Sequence, residues 1–228
     1  MLRAAFFMLA ASAIGNVTPV QVVLGMLAAA PSPEPMASIP GTVRDSILSP
    51  YMPKPLPSSA RLSQHRQLLA EFEGFARSGG TAEALMQHIS DRLHEELVRY
   101  NWVGFYLIDK KDPKILVLGP FSGTATPHTR ILLSQGLCGA AATTGKTIVV
   151  NDVSTDPRYL MGSEHTKSEI VAPVFAQNSW AQSLMVQSPL ILNRVAAELT
   201  INSYFKDTFD QEERQFVESC SALVGKYL

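Results

Sequence analysis

Few residues of this chain carry reactive chemistry, and their spacing limits what that chemistry can be. There are two cysteines, Cys138 and Cys220. Two thiols cannot build a disulfide framework, and no Cys-x-x-Cys or Cys/His spacing suggests zinc. Each reads, on its own, as a small buried hydrophobe. Cys138 is flanked by Leu137, Gly139 and Ala140, whereas a reactive thiol needs a polar, partly exposed setting. His88, His94 and His165 lack the spacing of a metal site, so neither a metal nor a cofactor is expected. Gly136-x-x-Gly139 opens a helix, as a phosphate site would, but it lacks the P-loop lysine and the full dinucleotide pattern. His128 follows Pro127 and reads either as a base or as an exposed loop residue. Trp102 and Tyr106 lie four residues apart on one face of a strand and, by composition, read first as sheet core. Glu169 precedes an apolar strand and reads as a solvated strand end.

The elements that must position these residues follow from periodicity. Leu62, Leu68, Leu69, Phe72 and Phe75 recur at helical spacing, and Gly79-Gly80 ends that helix. Thr81 suits an N-cap, and Leu85, Ile89, Leu93 and Leu97 form an i, i+4 stripe behind it. Strands are predicted at 102–108 and 115–118, joined by a charged turn into a hairpin. Further strands are predicted at 130–133, 147–150, 170–175 and 195–201. A short helix of small residues spans 136–145, ended by Gly145. The last helix starts at Asp210, with Glu213 as the partner of a capping box, and its apolar face runs through Phe216, Val217, Cys220, Leu223, Val224 and Tyr227. Strands outnumber the helices between them. The fold class is therefore α+β: a central, mainly antiparallel sheet with the N- and C-terminal helices packed on one side.

Composition supports one globular domain with extra segments. Hydrophobic residues make up 46% of the 228, charged residues 17%, and the formal net charge is -1. No Lys/Arg cluster offers attraction to nucleic acid. Residues 1–57 stand apart. From Ala4 to Pro33 there is no charged residue, and 31–57 is rich in proline. The first stretch reads in three ways: a cleaved signal, a weak membrane anchor, or an extension ahead of a start at Met36. The second is a linker. The folded domain is expected over 58–228, in the cytoplasm, with export or anchoring through residues 4–30 as the alternative.

Several motifs then occur in order. Asn101-Trp102-Val103-Gly104-Phe105-Tyr106-Leu107 is followed by Leu116-Val117-Leu118-Gly119-Pro120-Phe121. Next come Gly136-Leu137-Cys138-Gly139, Asp152-Val153, Lys167-Ser168-Glu169-Ile170-Val171-Ala172-Pro173 and Phe209-Asp210-x-Glu212-Glu213. The series resembles the free methionine-(R)-sulfoxide reductase family, a branch of GAF domains. The resemblance implies a GAF fold with a small enclosed pocket. Trp102 and Tyr106 would form its aromatic wall, and Glu169 would be the carboxylate that holds a ligand's ammonium group.

The chain departs from that family's pattern at its chemistry. The family's attacking cysteine lies seven residues before the Ser-Glu-Ile glutamate, which is Gly162 here, and the usual resolving cysteine is replaced by His128. Cys138 is the one candidate thiol left on a family motif. Two further family carboxylates fall at Thr200 and Asn202. Their loss removes charge complementarity for a cation. An insertion near 176–194, where the family has a tight turn, reads as a segment without a role or as a lid. The resemblance thus implies a GAF domain that binds a small molecule, an amino acid or its oxidised form, in a regulatory or sensory role through Trp102, Tyr106, Glu169, Thr200 and Asn202. The alternative is an active L-methionine (R)-S-oxide reductase using Cys138 and a thioredoxin-like reductant. Pairing into a homodimer through the helix at 62–76 is a third expectation.

Overall fold

A computed structural model describes residues 56–177 and 195–228, which fall within one compact unit, Lys54–Leu228. The apolar segment and most of the proline-rich linker expected over 1–57, and nearly all of the insertion near 176–194, lie outside the described residues. Among those described, no helix is long and apolar enough to cross a membrane.

The chain opens with α1 (Ser58–Arg77) and α2 (Ala82–Glu96). Then come β1 (Trp102–Ile108), β2 (Ile115–Gly123), β3 (Arg130–Leu132), α3 (Gly136–Thr144) and β4 (Ile148–Val150). A 3-10 turn at Val153–Thr155 precedes β5 (Ser168–Phe175), β6 (Val195–Ser203) and α4 (Gln211–Gly225). The strands form a six-stranded sheet in the order β3-β2-β1-β6-β5-β4, and every pairing is antiparallel. Strand and helix ends differ from the sequence expectation by a few residues. The largest shift is in β2, which runs on to Gly123 because Trp102, Val103 and Gly104 at the start of β1 pair with Gly123, Ser122 and Phe121.

Local signals place the helices. The Thr81 side chain accepts from Ala84 N–H, and Asp210 accepts from Glu212 and Glu213 N–H, so both satisfy donors that a helix start leaves open. The capping box expected at Asp210 is only half formed. The Glu213 carboxylate does not turn back to the cap but accepts the Tyr100 hydroxyl proton, a tertiary bond that outcompetes the local one. Leu68 and Phe72 of α1, Leu85, Ile89 and Leu93 of α2, and Phe216, Val217 and Val224 of α4 pack on one face of the sheet, against Phe105, Ile170, Leu199 and Ile201. The three long helices therefore share one side. The other face carries a second cluster built from Trp102, Tyr106, Leu116, Val150 and Val171 under the short helix α3. The period of two along β6 divides its residues: Ala197, Leu199 and Ile201 go to the helix side, leaving Glu198, Thr200 and Asn202 for the other.

Candidate functional site

Pairing register, rather than sequence proximity, assembles the site. Trp102 of β1 pairs with Asn202 of β6, and Asn202 pairs with Glu169 of β5. One row across three strands is thus Trp102, Asn202, Glu169. The next row on this face holds Gly104, Thr200 and Val171, and the third holds Tyr106, Glu198 and Pro173. Side chains directly opposite in such rows stand about 5 Å apart, so the face is continuous. Gly104 gives the Trp102 ring room to lie flat: a Cβ there would sit 2.5 Å from Trp102 Cη2. The indole stacks on Phe121 with ring centroids 5.8 Å apart and reaches Tyr106 at 6.2 Å.

A pocket of about 310 Å³ opens over this floor. Its walls are the start of α3 (Gly136, Leu137, Cys138), the 124–128 loop and the 160–166 loop. All six residues singled out from the sequence, Trp102, Tyr106, Cys138, Glu169, Thr200 and Asn202, line it together with Gly162 and His128. Glu169 is not a solvated strand end: it is 7% exposed. His128 is not a free loop residue either, since its ring nitrogen Nε2 lies 3.0 Å from the Met161 carbonyl oxygen.

The ionisable groups of the pocket are carboxyls and a thiol taken out of water by burial. Burial, and then the Asp156 carboxylate, raise the Glu169 pKa to about 8. Among the described residues no lysine or arginine lines the pocket. Two lining residues hold buried polar atoms without a hydrogen-bond partner: Trp102 Nε1 and Asn202 Oδ1. The first only donates and the second only accepts. Buried polar atoms need partners, so these two suit a polar molecule in the pocket. Cys138 is buried, with Sγ 3.5 Å from Thr200 Oγ1. Burial, then Glu198 and Glu169, push its thiol well above the ordinary range. That keeps it protonated and a poor nucleophile. Cys220 belongs to the helix-side core, on the opposite face of the sheet. Among the described residues no three His, Cys, Asp or Glu side chains are arranged to hold a metal ion.

Two residues of the site escaped the sequence reading. Thr166 lines the pocket from a polar loop that gave no signal. Glu198 is fully buried beside Cys138, and burial drives its pKa well up. Its signal was the alternation of β6, which puts residues 198, 200 and 202 on one face. The acidic positions expected at 200 and 202 are neutral, and a carboxyl sits instead at 198, below Cys138.

The GAF domain family model matches residues 81–228. The chain belongs to the GAF domain family. Its relatives include GAF domain-containing protein A of Dictyostelium discoideum, 36% identical over 125 residues, covering 55% of this chain and 77% of that one. Among solved structures, the Neisseria meningitidis free methionine-R-sulfoxide reductase in complex with its substrate superposes with a TM-score of 0.63 at 28% identity, over 73% of this chain and 89% of that one. A GAF sensor protein of Burkholderia vietnamiensis gives a TM-score of 0.62, also at 28% identity, over 75% and 96%. This GAF domain is therefore homologous both to free methionine-R-sulfoxide reductases and to sensor-type GAF proteins.

Proposed function

We propose that this GAF domain binds a small polar molecule of the amino-acid type and acts as a regulatory or sensory module without turning its ligand over. The observation that carries the reading is the pair of unpartnered polar atoms, Trp102 Nε1 and Asn202 Oδ1, that flank the buried Glu169 carboxyl in one pocket. Such a pocket offers acceptors to an ammonium or amide donor and one indole N–H to an oxygen. Trp102 and Tyr106 supply the apolar wall, and Thr200 and Asn202 supply neutral contacts where the resemblance implies acids. The homology to an enzyme seen with its substrate supports a ligand of that size. The lack of turnover rests on Gly162 and His128, which stand at the positions where the reductase pattern has its thiols, and on the protonated state of Cys138.

Binding is tested by thermal shift and calorimetry with both epimers of free methionine sulfoxide, methionine, methionine amide and N-acetylmethionine. The reading expects the ammonium-bearing probes to bind and N-acetylmethionine to fail. Binding of none of them would remove the amino-acid class. The second reading, residual reductase activity, has one observation in its favour: Cys138 lines the same pocket. Thioredoxin-coupled NADPH oxidation with free methionine-(R)-sulfoxide separates the two. Turnover that is lost in Cys138→Ala would establish the enzyme.

A further inference from the structure

Two loops face each other across the mouth of the pocket. One, 124–129, joins β2 to β3; the other, 156–167, leads from the 3-10 turn to β5. Both contribute lining residues. Among the described residues one hydrogen bond spans them, between His128 Nε2 and the Met161 carbonyl, 3.0 Å apart. A carbonyl only accepts, so the ring is held with the proton on Nε2. The backbone of His128 is fixed from beneath. Its carbonyl accepts the Tyr106 hydroxyl at 2.8 Å, and its N–H donates to Thr126 Oγ1 at 3.2 Å. Tyr106 lies on the rigid floor of the sheet, so the first loop is anchored and its imidazole reaches out to the second.

The second loop has firm ends, Tyr159 and Leu160 pack on the apolar cluster of the pocket side, and its crest begins at the exposed Met161. Lys167 N–H donates to the Ser203 carbonyl at 2.7 Å, and Val153 N–H to the Lys167 carbonyl at 2.9 Å. Between these ends its hydrogen bonds are short-range, as in Tyr159 to Asp156 and Thr166 to Ser163. At the crossing point the contact is close but unstrained: a Cβ on Gly162 would lie 3.7 Å from His128 Cδ2 and 3.5 Å from Thr126 Oγ1. Among the described residues the two loops are thus joined by a single side-chain hydrogen bond, at the crossing of His128 and Met161.

We propose that His128 is the clasp of this pocket, and that release of the Met161 carbonyl is the step that lets the crest of loop 156–167, beyond Leu160, swing aside to admit and discharge the ligand. A single partly exposed hydrogen bond contributes modestly, so its loss should shift the open-to-closed ratio by roughly two- to tenfold. That strength suits a gate: enough to hold the mouth shut most of the time, too little to trap an occupant. The floor does not share in the motion, because β1, β5 and β6 are paired along their lengths. The proposal rests on reading the pocket as a ligand site, yet its first test needs no ligand.

Amide hydrogen exchange on the ligand-free full chain would compare wild type, His128→Ala and His128→Gln. The glutamine amide can donate to the same carbonyl. The clasp predicts two- to tenfold faster exchange in His128→Ala over 161–166, unchanged exchange in β1 and β6, and protection largely kept in His128→Gln. Equal exchange in His128→Ala and wild type, or equal loss in the alanine and glutamine variants, overturns the clasp. Stopped-flow binding of free methionine sulfoxide adds the kinetic arm: association and dissociation both quicken in His128→Ala. If that probe fails to bind the wild type, the amino-acid reading falls while the exchange data still decide the clasp.

Discussion

Neutralising Glu169 should change how stability depends on pH, by an amount the structure sets. The folded-state pKa is raised to about 8 from an ordinary 4.5. A carboxyl with a raised folded pKa holds its proton in the native state while the unfolded chain has already lost it. The native state then binds more protons between the two values, and stability falls as pH rises. The contribution is fully present below about pH 4.5 and is lost as pH climbs through 8. The slope is about 1.4 kcal/mol per pH unit, so the whole interval amounts to roughly 4 to 5 kcal/mol, a large share of the net stability of a typical domain. Glu169→Gln keeps the shape and removes the titration. Urea unfolding of both proteins at half-unit steps from pH 5 to 8.5 gives the difference directly. The variant should match wild type at pH 5 and gain on it by about 1.4 kcal/mol per unit up to pH 8. Glu213, whose pKa is also raised by burial, acts equally in both proteins and cancels; Glu198 feels the Glu169 charge, so the variant also eases its ionisation, in the same direction as the main effect. The same logic extends to binding. With its pKa raised to about 8, Glu169 is mostly protonated at pH 7, and an ammonium ligand favours its ionised form, so calorimetry in buffers of different ionisation enthalpy should show proton release on binding. Parallel stability curves for wild type and Glu169→Gln would refute the reasoning, because they would mean that this carboxyl titrates alike in the folded and unfolded chain.

Other perturbations give separate readouts. Trp102→Phe keeps the stack on Phe121 but deletes the unpartnered Nε1–H, so affinity for a ligand oxygen should fall about five- to fifteenfold with little change in melting temperature, measured by calorimetry. Gly162→Cys combined with His128→Cys restores thiols at two positions that face each other across the mouth. With dithiothreitol as reductant it should form methionine from free methionine sulfoxide faster than wild type, measured by chromatography; a folded but inert double variant would show that the pocket is not aligned with the reductase pattern. Asp210→Ala removes the cap of α4 and the 2.7 Å bond from Arg61, and should cost about 1 to 2 kcal/mol in urea unfolding.

The sequence alone determined what depends on near neighbours. The caps at Thr81 and Asp210, the helical stripe from Leu85 to Leu97 and the strand–turn–strand of the first hairpin are properties of a few consecutive residues, because capping and periodicity act over one or two turns. The order of short motifs around Trp102, Cys138 and Glu169 was also enough to expect the GAF fold. What it left open was set by pairing register and depth. Trp102, Asn202 and Glu169 stand in one row only because β6 lies between β1 and β5, an arrangement fixed by the packing of the entire sheet. Glu169 passed for a solvated strand end until the loop above it and the paired strands beside it took it out of water. Glu198 has the composition of a surface residue, and its interior position follows from the alternation of a strand whose inner face was unknown. His128 and Met161 are 33 residues apart, and no local signal joins them. Desolvation and contacts between distant segments are collective consequences of the folded chain, and they, rather than the residue types, decided where this pocket holds its charge and how its mouth is closed.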